Sequence, residues 1–436
     1  MPSLAAPLAA ALSLASLALA APLAALPPSP PPLPRGRAAF VTVNASANAS
    51  LFYWFFPAQS GRADAPLILW LQGGPGASGL LGLFKEMGPL ALDGAARAVP
   101  RRHTWNEAYG LLFVDSPVGT GYSFTASDGG YARSERDVAR DLYTLLQSFL
   151  RTEPRLARAP LFVAGESYGG HFVPSLCAHI LARRAAAAAA ELPIRLAGLA
   201  IGDGLTDPPT QVLAKPAQAE AFGLVGPRGR VELQAMAENA SSLARAGRFG
   251  EALAWREAME EYVRAHSGAT LYDVRRMGAY NFSDVEAWAN DAANKAWLGV
   301  PPWVVHRTDA QVAAHLRDDT MKSYKHLFPA LLDPAHGLRV LLYQGQFDWK
   351  DGTASNLAWI STIEWEGREE FAAAPRSIWR ASDGEIGGYV QAARNLCEVV
   401  VAGAGHMTPM DQPLHALDMM RGFIEGSLCT SPADRA

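Results

Sequence analysis

The chain is 436 residues long, 49% hydrophobic and 18% charged, with a formal net charge of −4. A chain of this size and composition can bury a large core, either as one big domain carrying an insertion or as two domains. So small a net charge, with Lys and Arg scattered rather than clustered, excludes a nucleic-acid groove or a surface built for anionic membranes as the organising feature.

Residues 1–21 are rich in Leu and Ala, carry no charged side chain and end in small residues. They read as a secretory signal peptide cleaved near Ala20 or Ala21, although the start has no Lys or Arg. An uncleaved anchor is the rival reading, because the apolar run is nearly long enough to span a bilayer; its Ala and Pro content makes it poorly hydrophobic for that. Residues 22–37, with PPSPPPLP from Pro27 to Pro34, read as a stiff extended linker. Four sequons follow, at Asn44, Asn48, Asn239 and Asn281. Together with a signal peptide they imply a glycosylated luminal protein. The three cysteines allow at most one intrachain disulfide. Of the possible pairs Cys397–Cys429 is adopted, with Cys177 as a buried free thiol.

Val41 to Phe56, containing LFYWFF, has strand composition and reads as a leading antiparallel hairpin. Leu67–Leu71, Leu111–Val114, Leu161–Ala164, Leu196–Ile201, Val340–Tyr343 and Val399–Ala402 are apolar runs without alternation, as in strands covered on both faces. Between two of them, Val138, Leu142, Leu145, Leu146, Phe149 and Leu150 recur at helical spacing. Strands alternating with helices predict a mostly parallel sheet flanked by helices. The pattern breaks between about Asp207 and Leu332, which is rich in Ala, Glu, Arg and Trp and lacks a central strand. This gives a core in two parts, residues 38–207 and 333–436, around a helical cap insertion at 208–332. The Ala185–Ala190 run reads as a helix extension or a loop.

Within this frame LFVAGESYGGHFVP, Leu161 to Pro174, places Ser167 in a GxSxG turn between a strand and a helix, where glycines permit a tight turn that exposes the hydroxyl. A serine nucleophile needs a base, and the base needs an orienting acid. Asp348 follows the strand that ends LLYQ, and His406 follows VVVAGAG. Both stand just past the C-terminal end of an apolar strand, where open α/β sheets place their sites. The order Ser167, Asp348, His406 is that of the α/β-hydrolase fold. Asp351 is the local competitor of Asp348 and ranks below it. The oxyanion of an acyl-transfer intermediate needs N–H donors, and the candidates are Tyr168 and Gly74 in the GGPG turn after LILWL. No HExxH or paired CxxC occurs and the ten histidines are dispersed, so neither a metal nor another cofactor is expected.

The motifs WLQGGPG, DSPVGTGYSF, GESYGGHFVP, YQGQFDW and GAGHMTPMDQP, in this order from about Phe40 to Phe423, resemble the serine carboxypeptidases of the α/β-hydrolase fold. Gln72 and the segment IGDGLTDPPTQ are most similar to the vitellogenic-like and plant serine carboxypeptidase-like branch. The resemblance implies removal of one amino acid from a peptide with a free C-terminal carboxylate, favoured at acid pH in a vacuole, lysosome or extracellular space. It implies a triad of Ser167, Asp348 and His406 and an oxyanion hole of Gly74 and Tyr168. Gln72 and Glu166, supported by Trp70 and Glu86, would hold the substrate carboxylate, and Met407 would line the leaving-residue pocket. A carboxylate facing a carboxylate is repulsive, so Glu166 would bind only when protonated, which accounts for an acid preference.

The sequence departs from the family pattern at several points. Gln72 replaces the common Asn, Ala77-Ser78-Gly79 replaces Cys-Ser-Ser, Ser116 stands where Asn is more usual, and Leu81 and Lys85 occupy pocket positions, so side-chain specificity does not transfer. Two other functions compete: the acyltransferase branch of the family, whose members tend to carry Asp where this chain has Glu166, and a secreted glycoprotein that only stabilises a partner. No nucleic acid and no stable membrane association are expected. The oligomeric state is open, a homodimer included.

Overall fold

The computed structural model describes residues 33–34, 36–186, 191–308 and 310–429. The expected signal peptide and most of the expected linker lie outside the described residues, as do 187–190 of the Ala-rich run. The described end of the linker is already structured: β1 starts at Arg37, and a Cβ on Gly36 would fall 2.2 Å from the Trp54 indole nitrogen.

Ten strands form one sheet: β1 (Arg37–Asn44), β2 (Ala49–Phe56), β3 (Leu67–Leu71), β4 (Gly110–Asp115), β5 (Leu161–Glu166), β6 (Leu196–Gly202), β7 (Arg339–Gly345), β8 (Ser377–Arg380), β9 (Ile386–Ala393) and β10 (Leu396–Val401). Their spatial order is β1-β2-β4-β3-β5-β6-β7-β10-β9-β8. The six central strands are parallel, and an antiparallel pair closes each edge. The unbroken apolar runs have their physical cause here. In β3, Leu69 packs into the layer beneath Leu142, Phe149 and Val173, whereas Ile68 and Trp70 pack into the opposite layer with Leu83, Met420 and Phe423. Successive side chains thus enter two different cores, which leaves no place for a polar alternation.

Helix α1 (Glu135–Thr152) buries the six positions that the periodicity singles out. It starts at Ser134, whose hydroxyl donates to Asp137 (2.9 Å) and accepts from the Asp137 N–H (3.4 Å), so an otherwise orphaned amide is satisfied. Helix α2 (Gly169–Ala186) leaves the GxSxG turn and packs against α1, with Cys177 buried as a free thiol. Cys397 and Cys429 are joined.

Among the described residues between β6 and β7, none adds a strand to the central sheet. Helices α3 (Pro208–Ala221), α4 (Pro227–Arg245) and α5 (Phe249–Ser267) close on an apolar cluster of Val212, Leu233, Ala237, Met259 and Val263. Trp349, from the loop after β7, completes that cluster. A two-stranded ribbon follows, Ala269–Thr270 against Asp273–Met277, which the helical reading of this region did not anticipate. Its tip is held on the core because the amides of Trp349 and Lys350 both donate to the Leu271 carbonyl, at 3.0 and 2.9 Å.

Candidate active site

Ser167 sits between β5 and α2 at φ +60°, the left-handed region that L-residues avoid. Strain of this kind costs on the order of 1–3 kcal/mol and persists only where the surroundings enforce it. Two backbone bonds do so: the Ser167 N–H donates to the Gly202 carbonyl, and the Ser167 carbonyl accepts from Leu205, each at 2.9 Å. The flanking glycines allow the approach. A Cβ at Gly165 would lie 2.7 Å from the Leu71 carbonyl, and one at Gly170 would lie 2.5 Å from that of Leu205.

The GGPG turn after β3 lies directly against this elbow. A Cβ on Gly73 would strike Ser167 Cβ and the Tyr168 amide nitrogen, both at 2.7 Å. Among the described residues no acceptor in the chain takes the N–H of Gly74 or of Tyr168. Two free amides next to a strained serine are what a developing oxyanion requires.

Asp348 and His406 converge from the loops after β7 and β10. His406 Nδ1 is 2.8 Å from Asp348 Oδ2, and both residues are buried. Asp348 is further fixed by the amides of Lys350 (2.6 Å, on Oδ1) and Asp351 (3.0 Å, on Oδ2). Among the described residues His406 Nε2 is buried without a partner, which leaves it available to a hydroxyl proton. The Asp351 carboxylate faces away into an ion network, 3.2 Å from Arg256 and 3.7 Å from Lys215.

A second polar cluster lies beside Ser167. Trp70 Nε1–H donates to Gln72 Oε1 (2.8 Å), and Gln72 Nε2 donates to Glu86 (3.1 Å) and Glu166 (3.2 Å). Both carboxyls are buried, with 0% and 2% exposure, and one oxygen of each has no partner in this network. Burial, and then the charge of Glu86, hold Glu166 well above the usual carboxylate range; burial raises Glu86 as well. Such a pair retains a proton at pH values where isolated carboxyls have lost it. Met407 is buried immediately after His406.

Two neighbours of Asp348 and His406 escaped the sequence reading. Tyr272, at the tip of the ribbon in the insertion, accepts the His406 N–H on its carbonyl at 2.7 Å, and its ring stands 4.7 Å from the imidazole. Asp203, the first residue after β6, is fully buried near Asp348. The rule that selected Asp348 and His406, a polar residue just past an apolar strand, also selects Asp203. Behind the oxyanion side, the Tyr168 hydroxyl donates to Asp319 of the insertion (3.3 Å), and Asp319 also accepts from Tyr324 and Lys322. Of the sequon residues, Asn48, Asn239 and Asn281 are exposed; Asn44 is half-buried and accepts from Ser46 at 2.7 Å.

An α/β-hydrolase sheet that carries a serine on a strained elbow, with a paired His and Asp past later strands, defines a serine hydrolase. The chain belongs to the serine carboxypeptidase family, whose sequence profile matches residues 29–426. It is 37% identical over 409 residues to serine carboxypeptidase-like 50 of Arabidopsis thaliana, covering 92% of this chain and 90% of that one. It is 33% identical over 407 residues to the probable serine carboxypeptidase CPVL of Homo sapiens, covering 89% and 83%. In structure it is similar to Kex1(delta)p, a prohormone-processing carboxypeptidase of Saccharomyces cerevisiae, with a TM-score of 0.79, 24% identity, and coverage of 90% of this chain and 92% of that one. Among the described residues no helix is long and apolar enough to cross a membrane.

Proposed function

We propose that this protein releases single amino acids from the C-terminus of peptides through an acyl-enzyme, at acid pH. Ser167 Oγ attacks the last peptide carbonyl while His406 Nε2 takes its proton. Asp348 holds the imidazole through Nδ1–H. The amides of Gly74 and Tyr168 bind the oxyanion as the tetrahedral intermediate forms. On collapse His406 returns the proton to the departing amino group, and water then repeats the sequence on the acyl-Ser167 ester. The observation that carries the specificity is the Trp70–Gln72–Glu86–Glu166 cluster on the residue next to the nucleophile. Gln72, on releasing one of the two carboxyls it holds, and a protonated Glu166 offer donors to a terminal carboxylate, and an ionised Glu166 repels it.

An N-blocked dipeptide should be cleaved at acid pH, and the same dipeptide with a C-terminal amide should be cleaved far more slowly. Equal turnover of both would remove Gln72 and Glu166 from carboxylate binding. The pH dependence has a defined sign. Glu166 binds substrate while neutral, so kcat/KM falls as pH rises through its raised pKa, by about tenfold for each pH unit beyond it. Glu166→Gln stays neutral and should keep kcat/KM flat into the neutral range; an alkaline limb identical to that of the wild type rejects the account.

The rest of the chain supports an acidic destination in the secretory pathway, a vacuole, lysosome or extracellular space. Burial pushes Asp115 and Asp141 up to about 6 and Glu398 up to about 7. A carboxyl whose folded pKa is raised adds stability that is complete below its unfolded pKa, about 4, and is lost as pH rises through the folded value. Buried His171 and His306, lowered by burial, act in the opposite sense, being stabilising above 6.5 and costly as pH falls. The carboxyls are more numerous, since Glu135, Glu166 and Asp203 are raised as well. The thermal midpoint is therefore expected to be higher at pH 5 than at pH 7.5, and a rise over that interval would contradict it.

A further inference from the structure

The triad carboxylate has a second carboxyl beside it. Asp203, Asp348 and His406 present one polar atom each within a common 4.8 Å, all buried. Asp348 accepts three N–H bonds: Oδ2 takes His406 Nδ1 and the Asp351 amide, and Oδ1 takes only the Lys350 amide. One lone pair on Oδ1 therefore remains. Asp203 receives fewer donors. Its Oδ1 accepts from the Gly345 amide at 2.9 Å, and its Oδ2 is 3.2 Å from the Thr408 hydroxyl, which can donate or accept. Two ionised carboxylates this close in a dry interior are not compatible, and the one with more N–H donors keeps the charge. The backbone is committed to the arrangement, because Asp203 is held at φ +44° with its N–H on the Tyr343 carbonyl at 2.8 Å.

We propose that Asp203 is a positioning residue of the triad: a neutral carboxylic acid whose proton is donated to Asp348, fixing that carboxylate where it meets His406 Nδ1–H. The assignment rests on the serine-hydrolase reading of Ser167, Asp348 and His406. The titratable groups facing Asp203 are Asp348 on the loop after β7, His406 on the loop after β10, Glu166 at the end of β5 and the Tyr343 phenol on β7. None of these is a Lys or Arg, so no permanent cation among them stabilises the ionised form of Asp203. When Asp203 loses its proton, the hydrogen bond to Asp348 becomes a repulsion, and the acid that orients His406 is displaced. Activity then falls on the alkaline side for a reason separate from substrate binding at Glu166. Asp203 would act on kcat, and Glu166 on KM.

The test is the second-order rate of Ser167 labelling by a fluorophosphonate, measured from pH 4.5 to 8 on the full chain. The probe has no C-terminal carboxylate and so does not call on Glu166 or Gln72. Asp203→Asn keeps a donor toward Asp348 and cannot ionise, and Asn tolerates a positive φ. Asp203→Gly removes the side chain without adding backbone strain. Expected are a rate for Asp203→Asn within about threefold of the wild type at pH 5 and an alkaline limb that no longer falls where the wild type does. Asp203→Gly should be slower by about 10- to 100-fold throughout. An Asp203→Asn variant as slow as Asp203→Gly, an Asp203→Gly variant as fast as the wild type, or an unchanged alkaline limb in Asp203→Asn each overturns the proposal. If Asp203→Gly does not fold, as judged by its thermal transition, the pH profile of Asp203→Asn decides alone. A wild-type chain inert to the probe at every pH overturns the serine-hydrolase reading, which variants failing to differ from a reactive wild type do not.

Discussion

Ser167→Ala is expected to lower kcat by about a hundred-thousand- to a million-fold, and His406→Ala by a similar factor. The two together should cost scarcely more than either alone. In the proposed mechanism the hydroxyl and the imidazole act as one unit, so once either is gone the other has nothing to do. What survives is the contribution of the proposed oxyanion donors, the Gly74 and Tyr168 amides, and of the proposed carboxylate site, which neither substitution touches. Affinity for a non-cleaved peptide with a free C-terminus should therefore stay within a few-fold of the wild type when measured by calorimetry on Ser167→Ala. The kinetic cycle of the two single variants and the double variant is the check, and strictly multiplicative losses would show that the two residues do not work in the same step.

Arg256→Ala, outside the site, should cost about 3–5 kcal/mol of stability. Arg256 on α5 is 5% exposed and lies between Asp351 (3.2 Å) and Glu260 (3.4 Å), with Lys350 at 2.5 Å on Glu260 and Lys215 at 3.7 Å on Asp351. Removing the guanidinium leaves each of these buried carboxylates one counter-charge short, Asp351 with Lys215 and Glu260 with Lys350 and Arg264. The network also joins the insertion to the loop that carries Asp348, because the Asp351 amide is one of the donors on Asp348. A fall in the urea midpoint should thus be accompanied by a fall in kcat in the fraction that remains folded. Against the upward push of burial, the Lys350 and Arg256 charges hold Glu260 down to about 2. The stability it contributes is present above its unfolded pKa, near 4.5, and is lost only as pH falls through about 2. The loss in Arg256→Ala should accordingly be seen in full at pH 5; an unfolding free energy within about 0.5 kcal/mol of the wild type would show that the network is not what ties the two regions together.

The elements legible in the sequence are those whose residues have one dominant constraint. Strands β3 to β7 are buried on both faces and read as uninterrupted apolar runs. Helix α1 has one buried stripe and reads at its period. The elbow is legible because Ser167 needs Gly165 and Gly169 around it. The edge pair β8 and β9 was missed because its residues alternate in exposure and include Gly387 and Gly388, so neither apolar run nor strand composition marks it. The ribbon at Ala269–Met277 was missed because it is short and carries Arg275 and Arg276, whose role is to pair with Asp273 and Asp411 rather than to fill a core. Tyr272 therefore gave no signal, since its contact with His406 exists only once the insertion folds back over the loops. Asp203 gave one that went unused: a charged residue directly after GLAIG is as conspicuous as Asp348 after LLYQ.

Glu166 and Ser167 are consecutive residues, so the proposed carboxylate anchor and the proposed nucleophile are separated by one residue's length of backbone, about 3.8 Å between Cα atoms. That spacing works as a ruler. A peptide whose end is fixed at Glu166 can offer Ser167 only its last amide bond, whatever its sequence, and each cut creates a new free carboxylate that fits the same anchor. Digestion should proceed as a ladder, one residue at a time from the end, stalling where a side chain or a terminal amide does not fit and never opening a chain in its middle.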